Sequence, residues 1–439
     1  MMKVKKICCI FLLLLLLTTT TNLFAITHEK LVMEIAVNNP SLINSRKDID
    51  LAKLDLKDAK AAYQPTVELV IGSLSSMYTT GLGGPDTTYN GLDDTYFNFN
   101  LKISQPLYTW DKINTSVDLN KKIMQIQNIQ SNNLFKQLKN ELETREAAIY
   151  YLKEMKTNLV EQEKMTDQLI EIIEESYLNN LVLEQDVLEA KIIAKKIEIG
   201  MKELEKEEKS QLSQIIKLTN LKTLTSEDIQ YRVDEEKIKN LLKENKNTLI
   251  DRATSLSSDN IQTLSILKSV KADETKIAKN SIYWKPDLAL QIETSYSGPK
   301  FPFVEENYKL MDEGSINLTI AITSTIWDGG KKLNDIARTK INEEKANVDI
   351  IDTKNQIIQN LNNNLYTMEL ATSNIEYQEL NSQIIDKNIE NLIQEYNEGY
   401  GDKAQVLKAM LEKSSSDLEL IQFKLERATS YFTIMYLIN

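Results

Sequence analysis

Histidine and cysteine are nearly missing from this chain of 439 residues, which holds one His, two Cys, 12 Gly and 7 Pro. Both cysteines, Cys8 and Cys9, fall in the first few residues, and the one histidine, His28, lies just beyond them. Thiol catalysis, His/Cys metal sites and Ser-His catalysis all require residues that the rest of the chain does not supply. No enzyme activity, cofactor or metal is therefore expected. A basic excess is lacking too: 52 Lys and Arg face 64 Asp and Glu, and the formal net charge is −12. That balance argues against nucleic acid as a partner. Scarce Pro and Gly point instead to long uninterrupted helices.

One apolar run is present, Ile7 to Leu17, preceded by Lys3, Lys5 and Lys6 and followed by a Thr stretch ending at Leu23-Phe24-Ala25. Its length is about 11 residues, well short of the roughly 20 of a membrane-spanning helix. Residues 1–25 are accordingly predicted to be a secretory signal peptide. Lipid attachment needs a cysteine just after the apolar core, and Cys8 and Cys9 precede the Leu run.

The remainder reads as two copies of one pattern. Tyr63-Gln64-Pro65 with Val67, Leu69 and Ile71 returns as Trp284-Lys285-Pro286 with Leu288, Leu290 and Ile292. Tyr108-Thr109-Trp110-Asp111-Lys112 returns 219 residues on as Trp327-Asp328-Gly329-Gly330-Lys331. The same offset relates Tyr177 and Asp186-Val187-Leu188-Glu189-Ala190 to Tyr396 and Gln405-Val406-Leu407-Lys408-Ala409. Residues 26–225 form the first copy, with strands near 66–76 and 95–105 and long helices near 111–180 and 184–220. Residues 226–439 form the second, with strands near 287–296 and 315–325 and helices near 330–398 and 402–437. Each copy is expected to run helix, strand, strand, long helix, long helix. The first helix stumbles at Asn38-Asn39-Pro40, where Pro restarts a helix more readily than it continues one. Leu142, Ile149, Leu152 and Leu159 recur at heptad-compatible spacing. A helix from 112 to 179 would be roughly 100 Å long.

The strands alternate strictly. Phe97, Phe99, Leu101 and Ile103 interleave with Asn98, Asn100, Lys102 and Ser104, and Ile316, Leu318, Ile320 and Ile322 interleave with Asn317, Thr319, Ala321 and Thr323. A half-buried soluble sheet would produce this pattern as well. Two features favour lipid on the apolar side: the secretory leader, and the concentration of Trp110, Trp284 and Trp327, with Tyr63, Tyr108 and Tyr283, at the strand ends opposite the loops Thr79–Asp94 and Ser297–Gly314. Such a band resembles the aromatic girdle of an outer-membrane barrel. Four strands cannot close a barrel, so closure must be shared between chains. Three chains give twelve strands and room for a pore, which makes a cyclic homotrimer the better inference.

These markers resemble the TolC family of outer-membrane efflux proteins across essentially the whole chain after the leader. The helix-turn-helix segment Tyr396-Asn397-Glu398-Gly399 leading to Val406-Leu407-Lys408-Ala409 is the most specific of them. The resemblance implies a mainly α fold with a membrane β-barrel of twelve strands, four per chain, continued by a long α-helical periplasmic barrel. It also implies a homotrimer in the outer membrane of a diderm bacterium, in contact with its lipid, joined through a periplasmic adaptor to an inner-membrane pump. The family's periplasmic tip, which closes the duct and meets the adaptor, maps onto Tyr177, Asn180, Asp186 and Glu189 in the first copy. In the second it maps onto Tyr396, Gly399, Asp402, Gln405 and Lys408. Acidic entrance residues of the best-known members fall at Gln405 and Lys408, a departure that puts a cation-preferring entrance ring in doubt. Asn180 stands where the second copy has Gly399, and Asn still tolerates a left-handed turn. Asp186 and Glu189 fit an entrance role and fit equally the first turn of a helix, where acids are favoured.

A passive exit duct for a tripartite efflux pump or a type I secretion system is the leading reading. The alternative is a secreted coiled-coil structural or adhesive surface protein without channel activity. An adaptor-type protein would need more short strands and turns. The Gly81-Leu82-Gly83-Gly84 run lacks the strand-loop-helix context of a phosphate cradle.

Overall fold

A computed structural model describes residues 26–76, 95–255, 258–298 and 313–438. The predicted leader, residues 1–25, and most of the two loops that join paired strands lie outside these residues. The described elements are α1 (His28–Asn38), α2 (Pro40–Ala61), β1 (Thr66–Ser76), β2 (Thr95–Tyr108), α3 (Lys112–Leu178), α4 (Glu184–Thr219), α5 (Glu235–Leu242), α6 (Lys246–Thr254), α7 (Asp259–Asn280), β3 (Asp287–Gly298), β4 (Glu313–Thr323), α8 (Lys331–Asn397) and α9 (Lys403–Ile438). They divide into two compact units: residues up to Arg46 with Gln130–Ile261 and Asp352 onward, and Lys47–Ile129 with Gln262–Ile351.

The second of these units contains the sheet. Its order is β1-β2-β3-β4, antiparallel throughout. Register carries rows of residues straight across all four strands. Val67, Ile103, Ile292 and Leu318 form one row, and Leu69, Leu101, Thr294 and Ile316 another. On the opposite face Glu68, Lys102, Glu293 and Asn317 share a row, flanked by Thr66, Ser104, Gln291 and Thr319 on one side and Val70, Asn100, Ser295 and Ser315 on the other. The alternation in the sequence is thus a two-faced sheet. Pro106 lies within β2, a central strand, next to a register irregularity between Pro106 and Tyr108, the position at which a residue without an N–H is tolerated.

The first unit is helical. Asn39 separates α1 from α2 by three bonds at once: its Oδ1 accepts from the Ser41 and Leu42 amides at 3.0 and 3.2 Å, and its Nδ2 donates to the Leu218 carbonyl of α4 at 2.9 Å. Pro40 then occupies the first helical position, where its missing N–H costs nothing. Leu31, Ile35 and Leu42 pack on Leu138, Leu142 and Ile149 of α3 and on Ile215 and Leu218 of α4. The heptad residues Leu142, Ile149, Leu152 and Leu159 are all buried. His28, at the start of α1, adds a polar tie: its Nδ1 is 2.6 Å from Glu146 Oε2 and its Nε2 is 3.5 Å from Glu143 Oε1.

The layout before β3 differs from the single helix that the sequence suggests. A short 3-10 turn at Ser226–Asp228, then α5 and α6, precede α7. Asp234 and Asn245 cap these short helices by accepting from the Lys237 and Asn247 amides. Ile238, Leu241, Leu249 and Ala253 pack against Tyr151 of α3, Leu361 and Met368 of α8 and Phe432 of α9. Tyr151 donates to Glu235 Oε1 at 2.8 Å, and Arg427 of α9 donates to Glu235 Oε2.

Candidate functional site

Two places gather the residues singled out by the sequence. The first is the end of the sheet where β1 and β3 begin and β2 and β4 end. Tyr63, Tyr108, Trp284 and Trp327 are exposed there, while Tyr283 and Trp110 are half-buried. The two half-buried rings have intramolecular partners. Trp110 Nε1 donates to the Pro286 carbonyl at 2.7 Å and its ring meets Tyr108 edge-on at 5.1 Å. Tyr283 donates to Asp328 Oδ1 at 2.7 Å, and the same carboxylate accepts from the Gly330 and Lys332 amides at the start of α8. These bonds hold the Asp328 carboxyl below its ordinary range, the Tyr283 hydroxyl foremost.

Backbone geometry pairs Trp110 and Asp111 with Gly329 and Gly330. All four have positive φ, 53° and 65° in the first pair and 70° and 85° in the second. Glycine adopts this conformation freely, whereas an ordinary L residue loses roughly 1–2 kcal/mol. Bonds at Trp110 and Asp111 offset that cost: the indole bond to Pro286, and Asp111 Oδ2 accepting from Lys276 at 2.5 Å.

The second place is the pair of helix-turn-helix reversals. After α3, Asn180 takes a left-handed φ of 58°; its N–H donates to the Tyr177 carbonyl and that of Leu181 to the Ser176 carbonyl, both at 2.9 Å. After α8, Gly399 has φ 83°, with its N–H on the Tyr396 carbonyl at 3.1 Å and that of Tyr400 on the Glu395 carbonyl at 3.0 Å. Both are Schellman closures. Tyr177 and Tyr396 thus supply backbone acceptors at matching positions, and their side chains are about half exposed.

The returning helices are capped differently. Asp186 Oδ2 accepts from the Leu183 amide at 2.9 Å, reaching back from inside α4. Asp402 Oδ1 accepts from the Ala404 amide at 2.9 Å, reaching forward from just before α9. Glu189 accepts from Gln185 Nε2 at 2.9 Å. Gln405 and Lys408 are exposed. Leu407 shares an apolar cluster with Leu169, Ile173, Val187 and Ala190, with Val182 and Ala404 packed against it, so the two reversals sit side by side.

Residues that the sequence did not mark also shape these turns. A Cβ on Gly401 would lie 2.5 Å from the Tyr396 amide nitrogen and 2.9 Å from the Glu395 carbonyl carbon, so the second turn admits no side chain there. Val182, 219 residues earlier, occupies that position in the first turn. Leu178, Leu181, Leu183 and Tyr400 are strongly exposed. The leucine cluster was visible as apolar residues in a segment of turn composition. Among the described residues, no helix is long and apolar enough to cross a membrane and no group of three His, Cys, Asp or Glu could hold a metal ion.

No protein-family model and no curated protein matches the chain. Solved structures do. The outer membrane channel CmeC of Campylobacter jejuni superposes with a TM-score of 0.76 at 14% identity, covering 94% of this chain and 85% of that one. The outer membrane protein VceC of Vibrio cholerae gives 0.73 at 15% identity, covering 94% and 95%. The open-state MtrE outer membrane channel of Neisseria gonorrhoeae gives 0.72 at 13% identity, covering 94% and 88%. This chain therefore has the outer-membrane channel fold, as the resemblance to the TolC family implied.

Proposed function

We propose that the protein is an outer-membrane efflux channel, a passive conduit that passes cargo outward and takes its energy from a partner pump. The observation that carries this reading is the two-faced sheet. One face is apolar from edge to edge in the row Val67, Ile103, Ile292 and Leu318, with Thr294 the one polar residue in the next row, and Val67, Leu69 and Ile71 of β1 and Ile316, Leu318, Ile320 and Ile322 of β4 remain exposed. The strands are 11, 14, 12 and 11 residues long, at or above the roughly 9–11 residues that a tilted strand needs to cross a bilayer. Apolar side chains outside and polar ones inside match the requirement of a membrane barrel. Likeness to solved outer-membrane channels supports the same reading.

β1 and β4 are the edges of the sheet, and a free edge in hydrocarbon leaves N–H and C=O groups unpaired at several kcal/mol each. Edge pairing between copies in a ring removes that cost, and a homotrimer with twelve strands is the proposed closure. Trp284, Trp327, Tyr63 and Tyr108 are then the interfacial girdle on the periplasmic side. The reversals around Asn180 and Gly399 are the proposed periplasmic tip, where a periplasmic adaptor and, through it, an inner-membrane pump engage. Service to a type I secretion system is compatible with the same assembly.

The test is expression of the full chain in a diderm host, followed by membrane fractionation, imaging of detergent-extracted particles and bilayer conductance. Threefold particles from the outer membrane that conduct ions are expected. An aqueous-phase protein without conductance would overturn the reading in favour of a coiled-coil surface protein. Gly399→Val and Asp186→Lys should each alter export; unchanged export in both removes the tip assignment.

A further inference from the structure

Away from the strand ends, charge in the sheet is confined to a single level. Apart from the terminal residues Asp287 of β3 and Glu313 of β4, the charged residues of β1 to β4 are Glu68, Lys102 and Glu293. Register places all three in one row, ending at Asn317, on the polar face. The rows on either side, from Thr66 to Thr319 and from Val70 to Ser315, carry no charge. Asn100, in the latter row, donates from Nδ2 to Glu293 Oε1 at 2.7 Å, which fixes that carboxylate against the sheet.

We propose that this row forms a charged belt around the barrel lumen and sets the ion preference of the open channel toward cations. The proposal rests on the barrel reading above. In any closed ring of copies, carboxylates outnumber ammonium groups two to one at this level. At the reversals, Gln405 and the exposed Lys408 stand where the other half has Asp186 and Glu189, so that pair of acids is not repeated in both halves. A belt of fixed charge acts across about one Debye length, roughly 30 Å at 0.01 M salt, 8 Å at 0.15 M and 3 Å at 1 M. It therefore governs a wide lumen at low ionic strength and fades at high.

The experiment measures reversal potentials of the full-length protein in planar bilayers under a KCl gradient, at low and high mean salt. Wild type should prefer K⁺ at low salt. The double variant Glu68→Gln/Glu293→Gln, left with Lys102 alone, should lose that preference. Lys102→Gln should strengthen it, and both shifts should shrink near 1 M salt. Glu68→Asp/Glu293→Asp, which keeps the charge, should behave as wild type and controls for folding. Opposite shifts are the signature of a field; a merely structural ion-pair row would impair insertion or conductance in both variants alike. Conducting variants with unshifted or same-direction reversal potentials would overturn the belt and leave the channel reading standing. Wild-type protein that never conducts would remove the channel reading and the belt with it.

Discussion

Asp186 and Asp402 cap the two returning helices from opposite ends of the same helical turn. Shifted by 219 residues, Asp402 corresponds to Leu183 and Asp186 to Gln405, so each reversal keeps one carboxylate-to-amide bond while exchanging the position that supplies it. The acid absent at Gln405 thus has a counterpart at Asp402, which caps the helix through the Ala404 amide.

Asp186→Ala should weaken the start of α4 by about 1 kcal/mol, the usual worth of such a cap. Adding Leu183→Asp to Asp186→Gln, which transplants the arrangement of the second turn, should recover most of it. Hydrogen exchange of the amides from Leu183 to Val187 reads both effects.

Two glycines of the second turn should fail for different reasons. Gly399→Ala has free space around the new Cβ but a φ of 83°, and should cost about 1–2 kcal/mol in torsion. Gly401→Ala would collide with the backbone of Tyr396 and Glu395 and should cost more. Asn180→Gly should be close to neutral, since the left-handed conformation no longer has to be forced. Thermal unfolding of the extracted protein gives the order.

Glu235 fastens α5 to both α3 and α9. Arg427 is 4% exposed, and removing its carboxylate partner leaves a buried guanidinium uncompensated. Glu235→Gln should therefore cost about 2 kcal/mol, below the 3–5 of a fully buried pair because Glu235 keeps 38% of its side chain in water. Arg427→Met should cost less than Glu235→Gln, a ranking that denaturant titration can check.

Docking of α1 should weaken as pH rises. The bond to Glu146 is the main cause holding the His28 imidazolium above its ordinary pKa of 6.5, opposed by burial and aided by the charges of Glu146 and Glu143, with Lys139 opposing. A raised histidine contributes stability that is complete below its unfolded value and is lost as pH climbs through its folded one. Burial also raises the Glu146 carboxyl, which has the same sign at lower pH. Protection of the Leu31 and Ile35 amides should fall as pH rises above 6.5 and through the raised His28 value, beyond the intrinsic change in exchange rate. In His28→Gln that excess fall should vanish.

Much of the fold was legible because two periodicities survive in the chain. A sheet apolar on one side leaves strict alternation, so Val67 to Ile71 and Ile316 to Ile322 announced themselves. Helices with few Pro and Gly leave a seam, and Leu142, Ile149, Leu152 and Leu159 are buried where it predicted. The short helices α5 and α6 left no such trace, since 8 and 9 residues are too few turns to establish a period. Trp110 was read as a girdle aromatic and Asp111 only as part of the repeat marker, and their left-handed backbone showed in the sequence only as the glycines at Gly329 and Gly330. Gly401 owes its identity to backbone from the preceding turn, a tertiary fact that composition does not encode. The Asn180 turn was readable because Asn is one of the few residues that accept it.

The row of Glu68, Lys102 and Glu293 also bears on how the strands find one another. Side chains alternate, so in the proposed barrel a slip of one residue along β1, β2 or β3 would turn its charge toward the acyl chains. For a Lys near the bilayer midplane such an error costs about 2–4 kcal/mol, and less for a Glu. Misthreaded sheets would thus be penalised at three separate strands before the barrel closes, and the same side chains that tint the passage would serve as its error check.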